Sequence, residues 1–83
     1  MIISSELERR ARVYVKAREL QELDYTNSAL DHARTEAHDA FMMQLDIEGI
    51  SYKDREYAAQ IALAIVNGEE EKLQELASPL HAH

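Results

Sequence analysis

Neither glycine nor proline occurs before Gly49. Those two residues are the strongest local breakers of regular structure, and the stretch that lacks them is filled with Ala, Leu, Glu, Arg and Gln. Such a segment folds into helix. The two glycines of the chain, Gly49 and Gly68, then fall where helices stop. The expected fold is all-α: a small bundle of three to four helices, with a long hairpin of the first two and two shorter C-terminal helices.

A chain of 83 residues forms one domain, here residues 1–83. A domain this short buries a limited share of its surface, so association with a second copy would add needed burial. Cysteine is absent, which removes disulfides and thiol chemistry and fits a reducing, cytoplasmic setting. The opening residues, Met1 to Ser5, lack a basic segment and a long apolar run, so no signal peptide is expected. The longest apolar run, Tyr57 to Val66, is interrupted by Gln60 and is too short to cross a bilayer. A net charge of −7 argues against direct binding to nucleic acid or to an anionic membrane and favours a basic protein partner.

The first helix is expected from about Glu6 to Leu23. Ser5 and Glu8 have the spacing of a capping box, in which hydroxyl and carboxylate satisfy two free amides. Leu7, Ala11, Val13, Tyr14, Ala17 and Leu20 share one face at helical spacing. Asp24-Tyr25-Thr26-Asn27-Ser28 supplies short polar side chains that compete with the helical backbone, so the chain should turn there. The rival is one continuous helix of over forty residues. The second helix should run to about Glu48, with a seam of Leu30, Ala33, Ala37, Ala40, Gln44 and Ile47, widened by Phe41 and Leu45. An alanine-rich seam lets a neighbouring helix approach closely. On that reading, enlarging Ala37 should harm the fold more than truncating Met42.

Gly49 should end the second helix in the left-handed conformation, with Ile50 folding back on Leu45. Ser51 should open the third helix, whose Tyr57–Val66 stretch is apolar nearly all round and so central. Asn67-Gly68 stops it. Glu69-Glu70-Glu71 then opens a fourth helix at the positive end of its dipole, carrying Leu73, Leu76 and Ala77 on one stripe. Ser78-Pro79 ends that helix, and residues 80–83 form a frayed tail.

Candidate chemistry is sparse. His32, Glu36 and Asp39 fall on one stripe of the second helix, and such ligands a turn apart suit a divalent transition metal. No other helix carries the matching set that di-metal bundles use, so a solvated polar face is the plainer reading. His81 and His83 belong to the tail. Arg9, Arg10, Arg12 and Lys16 form a basic row that would suit phosphates. However, Glu6 precedes Arg10 by four, Glu8 precedes Arg12 by four, and Arg18 has Glu22, so much of that charge is cancelled locally. A helix-turn-helix around Gly68 would point three glutamates at DNA, which repels it. No nucleophile stands in a recognisable pattern with a base, and no glycine-rich phosphate loop occurs. Neither an enzyme nor a cofactor is expected.

What remains is surface for protein contacts. Tyr14, Tyr25, Tyr52 and Tyr57 combine apolar area with a hydroxyl, and their plainer role is at the edge of the core. Met42 and Met43 lie off the second helix's seam. With Asp46, Glu48, Asp54 and Glu56 around the Gly49 turn, they form the expected partner site. Val15, Leu23, Leu63 and Val66 are the expected contacts between copies in a homodimer. The expected function is that of a non-enzymatic regulator, inhibitor or adaptor. The alternative is an acidic decoy that imitates a nucleic-acid backbone with Asp46, Glu48, Asp54, Glu56, Glu69, Glu70, Glu71 and Glu75. A metal-binding helical protein is a weaker third reading.

Overall fold

The computed structural model describes residues 2–79. It contains four α-helices within that range: α1 (Ser5–Leu23), α2 (Ser28–Ile47), α3 (Ala58–Asn67) and α4 (Glu70–Leu76). The expected all-α bundle with a long first hairpin is therefore the observed architecture. The frayed tail expected over 80–83 lies outside the described residues.

Each end of the hairpin is fixed by a short polar side chain. Ser4, not Ser5, caps α1: its hydroxyl accepts the Leu7 amide at 3.0 Å. The capping-box spacing placed the helix start one residue late, a usual error at frayed ends. Asp24 closes α1, and Asn27 opens α2 by accepting the amides of Ala29 and Leu30. The break expected at 24–28 is real, and the continuous long helix is not formed. Gly49 leaves α2 with φ of 69°, as its lack of a side chain permits.

Two short strands were not foreseen. β1 (Ile50–Tyr52) pairs antiparallel with β2 (Ala77–Pro79), with Ser51 opposite Ser78. Ser51 therefore does not open a helix. Asp54 instead caps a single 3-10 turn, Arg55–Tyr57, and α3 follows from Ala58. The reason is local: Ile50, Ser51 and Tyr52 lie just past a left-handed glycine, and Ile50 is drawn into the core in extended form.

α1 and α2 run antiparallel, and α3 packs chiefly on α1. Leu7, Phe41, Leu45 and Ile61 are the largest fully buried side chains. Tyr14 stacks on Phe41 with centroids 5.9 Å apart and meets His38 edge-on at 5.4 Å. Buried positions stop at Tyr14 in α1 and resume at Ala37 in α2, so residues 15–36 contribute none. The far half of the hairpin thus extends about 14 Å past the last buried position of α1, nine residues at 1.5 Å each. It accounts for the elongated outline of 44 × 23 × 22 Å.

Candidate functional site

The buried face of α2 is rotated from the expected seam. Ala37, Phe41, Met42, Gln44 and Leu45 are buried, while Ala33 and Ile47 are exposed and Leu30 and Ala40 half-buried. Side-chain size decides this: burying Phe41, Met42 and Leu45 removes far more apolar area from water than burying Ala33 and Ala40. Met42 is therefore a core residue, only 6% exposed, and cannot belong to a partner site. Val15 and Val66 are half-buried and pack against the core, so they offer only part of their area to the expected contact between copies. Leu63 and Leu23 stay exposed but belong to different elements, α3 and the far end of α1.

The acidic group around Gly49 is only partly free. The Glu48 carboxylate accepts the Ser4 hydroxyl at 2.6 Å and the Gln44 amide at 2.6 Å, so it ties the end of α2 to the start of α1. Asp54 accepts the Glu56 amide as the cap of the 3-10 turn. Asp46, Glu56 and Met43 are exposed, and the two carboxylates make no ion pair among the described residues.

His32, Glu36 and Asp39 line the outer surface of α2 and are all exposed. Asp39 lies 3.1 Å from His38 Nδ1, outside the proposed stripe. Among the described residues no three His, Cys, Asp or Glu side chains converge as metal ligands. The second histidine pair, His81 and His83, lies outside the described residues.

The basic row of α1 is locally compensated, as its spacing implies. Glu6 binds both Arg9 and Arg10, the latter at 3.0 Å, and Glu8 lies 3.6 Å from Arg12. Hydrogen bonds from Arg9, and then from Arg10, hold the Glu6 carboxyl down at about 2, well below the ordinary 4.5. Arg10 also donates to the Ala40 carbonyl of α2 at 2.9 Å. Lys16 pairs with Glu19 at 3.9 Å, while Arg18 forms no ion pair with Glu22.

Apart from Met43, the surface that sequence reasoning missed is the grooved back of the hairpin. Val13, Leu20, Met43 and Ile47 are 49, 40, 57 and 66% exposed. Arg9, Arg10 and Val13 of α1 border a shallow groove there with Ala37 and Ala40 of α2. The signal was present as a seven-residue repeat, Val13/Leu20 and Ala33/Ala40/Ile47. No described helix is long and apolar enough to cross a membrane.

Comparison with protein-family models, curated proteins and solved structures finds no match.

Proposed function

We propose that this chain is a non-enzymatic binding protein, a regulator, inhibitor or adaptor that acts in the cytoplasm through protein–protein contacts and pairs with a second copy of itself. The observation that carries the reading is the set of large apolar side chains left exposed on well-formed helices, above all Met43 and Ile47 on α2. Exposed apolar groups clustered on one face of a small domain mark a contact surface. Two-fold pairing is the commonest way to cover one. Asp46 stands beside Ile47 in the chain, and neither it nor the exposed Glu56 pairs with a cation among the described residues, which suits a basic protein partner.

The non-enzymatic reading is supported by several polar side chains that serve the fold. Ser4 and Asn27 cap helices, Ser51 donates to the Ser78 carbonyl, and His38 sits against Tyr14 and Asp39. The acidic-decoy reading has less support, because Glu48 and Asp54 are engaged in internal hydrogen bonds.

Light scattering across the micromolar range tests the self-association. A mass twice the 9.5 kDa of one chain is expected. A constant single-chain mass would overturn it.

A further inference from the structure

We propose that the back of the α1–α2 hairpin is the surface on which a second copy docks, in an arrangement whose two-fold axis runs parallel to the hairpin. This deepens the self-association proposed above and rests on it. The apolar strip consists of Val13, Ala17 and Leu20 on α1 with Ala33, Ala40 and Ile47 on α2. Its seven-residue spacing is that of a four-helix seam, and its small residues on α2 allow close approach. Among the described residues no side chain of α3 or α4 borders the groove on this strip, which is lined by Arg9, Arg10, Val13, Ala37 and Ala40.

The charges flanking the strip choose the occupant and its orientation. The outer rim on α1 carries Arg9, Arg12 and Lys16; the Arg12–Glu8 and Lys16–Glu19 pairs, at 3.6 and 3.9 Å, are loose and exposed, so these two cations are free to turn to carboxylates of a second copy. The outer rim on α2 is acidic, with Glu36 and Asp39. Heights along the hairpin are fixed by the Ser4–Glu48, Arg10–Ala40 and Gln21–Asp31 hydrogen bonds. Between these ties Arg12 comes within one residue of the level of Asp39, and Lys16 within one residue of the level of Glu36. A two-fold axis parallel to the helices keeps those heights and lays α1 of one copy against α2 of the other. Arg12 then faces Asp39 of the second copy, and Lys16 faces Glu36 of the second copy, twice over. A two-fold axis lying across the hairpin, in the plane of the contact, would instead stack α1 on α1, setting basic rim against basic rim and acidic against acidic. Like charges brought together at an interface oppose association, so the parallel axis is selected. The stripe His32/Glu36/Asp39 thus supplies a docking rim rather than ligands for a metal.

Two charge-reversal variants test this. Arg12→Glu with Lys16→Glu makes both rims acidic, and Glu36→Lys with Asp39→Lys makes both basic. All four side chains are exposed, and unchanged helical circular dichroism confirms that each variant folds. Each alone should weaken self-association by roughly tenfold or more. Mixed in equal amounts, the two should form a heterodimer with near wild-type affinity, because each acidic rim then meets a basic one. Native mass spectrometry separates the species. Ile47→Asp, at a position exposed in one chain, is the second variant; it should also yield single chains. If wild type pairs but the charge variants pair as well alone as mixed, and Ile47→Asp still pairs, the docking surface is wrong while self-association stands. If wild type itself remains a single chain up to millimolar concentration, both are wrong.

Discussion

The Ser4 hydroxyl donates to the Glu48 carboxylate across 2.6 Å while accepting the Leu7 amide at 3.0 Å. One oxygen thus caps α1 and joins it to the end of α2. Glu48 stands at the negative end of the α2 dipole, where a carboxylate is unfavourable unless it gains partners. Ser4 and Gln44 are those partners.

Removing the hydroxyl should therefore cost more than a cap. Ser4→Ala is expected to destabilise the fold by about 1–2 kcal/mol, with the cap alone worth about 1. The remainder should appear as coupling between Ser4→Ala and Glu48→Gln in a double-mutant cycle read by urea unfolding. Simple additivity would mean that the bond between them contributes nothing. For the same reason Glu48→Lys will report on folding as well as on partner binding, and Asp46→Lys is the cleaner probe of a basic partner.

Glu6 links the fold to pH. Arg9 and Arg10 hold its carboxyl at about 2, against 4.5 when free, so the folded state binds its proton more weakly than the unfolded chain does. Its stabilising contribution is fully present above the free value and is lost as pH falls from about 4.5 towards 2. The group is exposed, so its share is small. Glu6→Gln should reduce the loss of stability across that window and leave neutral-pH unfolding nearly unchanged. NMR titration of the Glu6 carboxyl carbon in the wild type should give a midpoint near 2. A midpoint near 4.5 would show that the arginines do not hold it.

Gly68 ends α3 with φ of 68°, and a methyl group added there would meet nothing within 4 Å. The cost of Gly68→Ala is then backbone strain alone, about 1–2 kcal/mol. Gly68→Asn should recover much of it, since asparagine tolerates the left-handed region better. Equal losses for the two variants would show that the conformation at this position is not what matters.

Much of the fold was legible because its breakers are few and local. Gly49 and Gly68 take the left-handed conformations their positions after helices imply, and the polar run at 24–28 turns the chain. The strand pair was not legible, since Ile50–Tyr52 and Ala77–Pro79 are three residues each and distant in sequence. No three-residue window carries a period. The rotation of α2 was misread because spacing was weighed without size. Ala33, Ala40 and Ile47 satisfy a heptad, yet Phe41, Met42 and Leu45 hold most of the apolar area. Two overlapping patterns share one helix, and the one that contains Phe41, Met42 and Leu45 turns inward. The acidic turn was misread for another reason: hydrogen bonds joining residues 44 positions apart, such as Ser4 to Glu48, leave no trace in local sequence.

That rotation reverses the expected ranking of Ala37 and Met42. Ala37 is buried but borders the open groove behind the hairpin with Arg10, Val13 and Ala40, so a leucine there has room to lean outward. Ala37→Leu should cost no more than about 1–3 kcal/mol, the usual range for overpacking. Met42 is 6% exposed, and Met42→Ala leaves a void in the core worth about 2–5 kcal/mol. Thermal melts should rank Met42→Ala as the more damaging change. Ala37→Leu has a second readout, because it also enlarges the floor of the proposed docking groove. It should weaken pairing of two copies more than it lowers the melting temperature of a single one, and dilution separates the two effects. If Ala37→Leu melts earlier than Met42→Ala at concentrations where only single chains exist, the α1–α2 crossing is tighter than the open groove implies.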